Sequence, residues 1–336
     1  MLQKVVKKLP KSEVEVTVTI PRAVVQSEID RLVFEESQKV NVDGFRPGKA
    51  PPDLVASKLD MQAITSRAFE SMLPRTLAEV LKSENIIPLD YPRYVITQND
   101  PQKDIVYRAT VPVKPEVSVG DYQTIRIQKG TQKPVDENEI QTVLTTAFAR
   151  WKKQRAVAQP NDPLGPDDAF AALIGAKDLT TLRAEIRTEL ESRARYTVEK
   201  MFEDALLDAL LAKSTLELPD VLVEEELSRM MGRLQEVIRT SKMSFEEYLQ
   251  KEQKSVEELK TSLRPSAERN VKIELMLQKI GELQNIQATK EEIAAQFTNH
   301  PTHEGHNAAE EEAVVSHIIR QSKTLQFLKD AASKTI

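Results

Sequence analysis

"NVDGFRPGKAPPD", residues 41–53, is rich in Gly and Pro, carries Arg46 and Lys49, and lies between two segments with helical apolar spacing. A nucleotide-binding P-loop needs G-x-x-x-x-G-K-[ST] after a buried strand. Here three residues, not four, separate Gly44 from Gly48, and Ala50 follows Lys49, so no hydroxyl is placed to meet Mg²⁺. The segment specifies a turn instead. Pro47 presets φ for the second turn position, and Gly48 tolerates the positive φ of a type II turn. Two readings remain open on these residues alone. Phe45 tucks into its own core as ordinary loop punctuation, or Phe45, Arg46 and Lys49 project outward as a recognition tip.

Upstream, "SEVEVTVTI" (12–20) alternates Val14, Val16, Val18 and Ile20 with Glu and Thr. That is the pattern of a half-buried strand. Pro21 ends it and opens a helix in which Val25, Ile29, Leu32 and Val33 recur at helical spacing to about Val40. Pro51-Pro52 is read as starting another helix. A longer helix covers 61–84 and is expected to break or kink at Pro74. "RYVITQ" (93–98) and "DIVYRATVPV" (104–113) read as strands, and "QTIRIQKG" (123–130) as a strand or extended connector. Residues 1–115 are therefore expected to form an α+β domain.

Beyond it the pattern is helical. Residues 116–153 give a connector and a first helix, "DENEIQTVLTTAFARWKKQ", and 154–178 form a Pro-rich linker. Residues 179–336 are all helix, with long segments at 182–213 and 218–239. Capping boxes announce helix starts at Ser244/Glu247, Ser255/Glu258 and Thr289/Glu292.

The chain has 336 residues, no cysteine, nine glycines and 5% aromatics, with a mean hydropathy of -0.42. The absence of cysteine excludes disulfides and thiolate chemistry. Residues 1–116 carry 17 basic and 16 acidic side chains, and the remainder 30 and 36. Neither part has the strongly cationic balance of a broad nucleic-acid binder, so DNA is not an expected partner. No apolar run approaches the ~20 residues of a membrane span, and a cytoplasmic location is expected.

Few residues suggest catalysis. His300, His303 and His306 cluster near Glu304, but Pro301 and Gly305 leave their spacing unlocked. They are read as a surface loop, with no metal or other cofactor expected. His317 is isolated. Glu224–Glu226 and Glu310–Glu312 are read as solvated helix faces. Trp151 is read as a packing residue. Five methionines, Met201, Met230, Met231, Met243 and Met276, fall in the helical part. Met fills cores, and it also suits surfaces that accept many partners. Met201, Phe202, Met230, Met231, Leu234 and Ile238 are the candidates for such a surface.

"GFRPGKAP" (44–51) resembles the GFRxGKxP signature of the trigger factor family. The similarity extends to "VEVTVTI", to "VPVKPEVSVGDYQTIRIQK", to "LTTLRAEIRTELE" (179–191) and to "LPDVLVEEELSRMMGRLQ" (218–235). The resemblance implies an α+β ribosome-binding domain followed by an all-α domain with extended helical arms. It implies an ATP-independent chaperone that docks at the ribosome exit tunnel and shields apolar segments of nascent chains. Gly44, Phe45, Arg46, Pro47, Gly48 and Lys49 would then meet a large-subunit protein and nearby rRNA. Two departures stand out. Many members carry Lys directly after the Arg, where this chain has Pro47; one cation fewer lowers affinity and flattens its salt dependence. Members usually insert an FKBP-type prolyl isomerase domain, close to a hundred residues, where this chain has the linker at 154–178. That domain is expected to be absent, and no isomerase activity is expected. The alternative reading is a ribosome-independent holdase or assembly chaperone acting as a dimer.

Overall fold

The computed structural model describes residues 3–38, 59–98, 103–154, 162–299 and 308–333. Chain contacts divide into two units, each built from two stretches of sequence. One comprises 1–118 and 215–276, the other 119–214 and 277–336.

The first unit starts with a four-stranded antiparallel sheet in the order β1-β2-β4-β3. Its strands are β1 (Gln3–Leu9), β2 (Glu13–Ile20), β3 (Arg93–Gln98) and β4 (Ile105–Pro112). The alternation read in β2 is realised: Val14, Val16, Val18 and Ile20 are buried. Register places Val16 opposite Ala109 and Val18 opposite Tyr107. These residues share one face, and two helices cover it: α1 (Arg22–Ser37) and α2 (Met61–Ser83). Met72, Leu77 and Val80 of α2 complete that core. Burying a side chain of this size contributes about 1.5–3 kcal/mol, so the sheet and α2 hold each other.

Two local features differ from the sequence reading. β1 was not anticipated. Its sequence, QKVVKKL, lacks alternation because it is an edge strand exposed along nearly its whole length. α2 runs unbroken through Pro74. Pro74 removes only the ladder bond to the carbonyl of Glu70, four residues back; beside it the Thr76 hydroxyl donates to Met72 O (2.8 Å) and the Tyr107 hydroxyl donates to Leu73 O (3.3 Å). Of the two readings of 123–130, the structure takes the extended connector: a 3₁₀ turn at Tyr122–Thr124 leads into chain with no strand assignment.

The turn between β1 and β2 is Pro10-Lys11-Ser12, and Lys11 and Ser12 both have positive φ, 60° and 52°. Non-glycine residues adopt this region at a cost. The turn is tied to residues 217–220: Lys11 N–H donates to Glu217 Oε2 (2.8 Å), Ser12 Oγ donates to Glu217 O (2.8 Å), and Lys11 Nζ lies 2.9 Å from Asp220 Oδ2. The unit continues with α6 (Asp220–Thr240), α7 (Phe245–Glu252) and the first part of α8 (Val256–Leu283).

The second unit holds α3 (Glu137–Gln154), α4 (Asp168–Leu173), α5 (Leu179–Lys213), the end of α8, α9 (Lys290–Asn299) and α10 (Ala308–Ala332). α4 corrects the reading of 154–178 as linker alone. Asp167 accepts a hydrogen bond from Phe170 N–H (2.9 Å) and caps it, and Phe170 is fully buried. Phe170 packs with Ile140, Leu144 and Leu182. Gly120 has φ +51°, and a Cβ there would sit 2.3 Å from Lys213 O, so only glycine fits. Among the described residues no helix is long and apolar enough to cross a membrane.

Candidate functional site

The tip read from sequence, Gly44 to Lys49, lies outside the described residues; its supports do not. α1 and α2 run antiparallel: Glu28 meets Ser71, while Glu36, nearer the end of α1, meets Arg67. Leu32, Ile64 and Ala68 are buried between them, with Ile29, Val33 and Leu59 packed alongside. The Asp60 side chain caps α2 by accepting from Gln62 and Ala63 N–H, both at 3.0 Å. The Arg67–Glu36 ion pair (2.6 Å) closes the same end. Gln38 and Leu59, the described residues on either side of 39–58, therefore lie at the same end of a clamped helix pair. Glu28, buried, accepts from Arg31 (2.7 and 3.2 Å). The Arg31 hydrogen bond leads in holding its carboxyl below the usual range against the opposing effect of burial. No feature of the sequence pattern singles out Glu28 as buried.

The six apolar candidates do not form one exposed face. Phe202 is 4% and Ile238 5% exposed, so both support their helices from inside. Lys129 Nζ lies over the Phe202 ring at 5.8 Å. Their helical spacing marked them as apolar without saying which side of the helix is covered. Met201, beside Phe202, is 66% exposed. Met230, Met231 and Leu234 are half-buried along α6. Met230 packs beside Val223, Leu227 and Ala267. Met276 is fully buried, a core filler. The sequence reading passed over Val314 and Ile318, one helical turn apart on α10 and both 58% exposed. The doublets Val314-Val315 and Ile318-Ile319 were the available signal.

Glu226 corrects the reading of 224–226 as a solvated acidic face. Glu224 and Glu225 are exposed, but Glu226 points into the α6–α8 contact. It accepts from Arg229 Nε (2.8 Å), Arg233 Nη2 (2.9 Å) and Asn270 Nδ2 (3.0 Å). Burial pushes its pKa up, and the hydrogen bonds from Asn270, Arg229 and Arg233 outweigh that, leaving it below the usual carboxylate range. The network fixes how α6 lies on α8, and so where Met230 and Met231 point.

Among the described residues no cluster of metal-ligating side chains occurs. His300, His303 and His306 lie outside them. His317 Nε2 is 2.9 Å from Gln321 Nε2 in the same helix.

What the described residues build is a set of surfaces for contact: a clamped pair of helices, α1 and α2, and further helices with partly exposed apolar side chains. The family model for bacterial trigger factor protein matches residues 2–147, and the model for the bacterial trigger factor C-terminus matches residues 178–333. The chain belongs to the trigger factor family. The trigger factor of Moorella thermoacetica is 27% identical over 380 residues, spanning 87% of this chain and 85% of that protein. That of Desulforamulus reducens is 23% identical over 415 residues, spanning 94% and 95%. Both alignments are longer than the 336-residue chain, so these relatives carry stretches that it lacks. The two family matches leave residues 148–177 unmatched between them. Among solved structures, a chain from the work named "Promiscuous Substrate Recognition in Folding and Assembly Activities of the Trigger Factor Chaperone" shares the fold. Its TM-score is 0.50 at 15% identity, over 97% of this chain and 99% of that one.

Proposed function

We propose that this protein is an ATP-independent chaperone that docks at the ribosome exit tunnel through residues 44–49 and shields apolar segments of nascent chains. Membership of the trigger factor family across both the N- and C-terminal regions carries this reading. The clamped α1–α2 base supports it physically. A segment with fixed ends loses less entropy on docking. Phe45 supplies an anchor, and Arg46 and Lys49 supply charge for phosphate or carboxylate. Met201, Met230, Met231 and Leu234, with Val314 and Ile318, offer weak apolar contacts to clients. Tethering raises the local concentration of chaperone, so single contacts can stay weak. Release follows as the client buries its own apolar surface, with no nucleotide consumed. The unmatched stretch at 148–177 supports a chaperone that does not catalyse prolyl isomerisation. Equal rates of proline-limited refolding with and without the protein are expected.

Cosedimentation with purified ribosomes tests the tether. The triple variant Phe45→Ala/Arg46→Ala/Lys49→Ala should leave the ribosome pellet while wild type stays in it. Equal pelleting by both removes the loop from the account. Suppression of client aggregation by a dimer that never pellets with ribosomes would favour the ribosome-independent reading.

A further inference from the structure

We propose that the second unit carries its own selective client site: a groove along α3 that takes an apolar polypeptide segment flanked by acidic residues. This rests on the chaperone reading and adds a place and a preference to it. The groove measures about 460 Å³ and is lined by Val143, Ala147, Arg150, Trp151 and Gln154 of α3, with Ile174 after α4. That volume falls within the ~300–1,000 Å³ of pockets that hold organic ligands. The α3 positions are spaced i, i+4, i+7, i+8 and i+11, so they form one stripe about 16 Å long.

This stripe lies beside the one that α3 buries. Ile140 and Leu144 face Phe170 in the core. Trp151 belongs to both. It stacks on Phe148 (5.8 Å between ring centres, 24°) and meets Phe170 edge-on (5.8 Å, 71°). Its neighbours thus hold the indole in place, while it stays half-exposed and lines the groove. A ring fixed before binding gives up little freedom when a partner covers it. Val143 and Ile174 are 37% and 43% exposed, apolar surface that a client would cover.

Charge decides the partner. At the start of α3, Glu137 is engaged by both Arg183 and Arg187. At its other end, Arg150, Lys152 and Lys153 make no ion pair among the described residues. Lys152 and Lys153 occupy the last turn, where the helix dipole already favours cations. Arg150 lies a turn earlier and lines the groove itself. An apolar segment bearing carboxylates at that end meets both features; a basic flank is repelled.

Trp151 is the sole tryptophan, so its fluorescence reports on the groove directly. The full-length protein is titrated with a short Leu/Phe peptide, free of Trp and Tyr, carrying Asp at one end, and with the same peptide carrying Lys there. The Asp-flanked peptide should shift Trp151 emission saturably and bind about tenfold more tightly, a difference of about 1.4 kcal/mol. Arg150→Glu, at an exposed position, should narrow or reverse that preference, and Val143→Asp should weaken both peptides. Equal binding of the two peptides, an unchanged preference in Arg150→Glu, or saturable binding without a Trp151 response each overturns the proposal. So does an emission shift that follows protein concentration without peptide, since a second copy then fills the groove. Ribosome pelleting by Arg150→Glu separates the two readings: the site fails alone if pelleting persists while the peptide preference is absent.

Discussion

Tyr107 lies at the centre of the first core with no exposed surface, its hydroxyl 2.8 Å from Thr76 Oγ1. Burial pushes the phenol from its ordinary value of 10.0 up to about 12. Between those values the unfolded chain has lost this proton and the folded chain keeps it. Stability should therefore fall as pH rises from 10 towards 12, and Tyr107→Phe should flatten that limb in alkaline denaturation. Glu226 is the second decisive residue. Glu226→Ala strands Asn270 and removes the carboxylate that Arg229 and Arg233 share. Both arginines keep access to water, so the expected cost is about 1–3 kcal/mol. Amide exchange in α6 and α8 should accelerate by about ten- to a hundredfold, with Glu226→Gln intermediate. Sequence gave no way to separate Glu226 from Glu224 and Glu225. Three consecutive acids point to three sides of a helix, and only the position of α8 decides which is covered.

Short-range chemistry made most helix starts legible. Ser244, Ser255 and Thr289 each accept a hydrogen bond from the amide three residues on (3.1, 3.2 and 3.2 Å), and the acids at those positions bond back. α7 depends on its cap more than the others do. It has eight residues, none buried, too short to persist on propensity alone. Ser244→Ala should weaken it by about 1 kcal/mol, seen as roughly fivefold faster exchange at the amides of 247–250 with other helices unchanged. Elements defined by distant partners were less legible. β1 takes its register from β2, and its lysines hide the strand. α4 follows prolines that mark a break, and its place is set by Phe170 fitting against Phe148 and Trp151. The groove residues were visible as letters, but which side of α3 stays open depends on where α4 and α5 pack.

At the scale of a whole unit, Glu199 ties three segments. Its carboxylate oxygens lie 2.5 Å from Lys129 Nζ in the connector and 2.5 Å from Lys329 Nζ in α10, and Lys329 also reaches Glu203. The hydrogen bond from Lys129, then that from Lys329, pulls Glu199 down from 4.5 to about 2. A depressed carboxyl adds stability that is present above 4.5 and is lost as pH falls towards 2. Acid denaturation followed by Trp151 fluorescence should show that loss, and Glu199→Gln should make the curve shallower across the same interval. The other unit closes over a longer path. Its β1–β2 turn is synthesised well ahead of the groups that steady Lys11 and Ser12 in left-handed geometry, which lie about 206 positions later. At about 5–20 residues per second, translation takes about 10–40 s to deliver them. For that interval the nascent hairpin is a spring without its catch, and Glu217 and Asp220 snap it shut once they emerge.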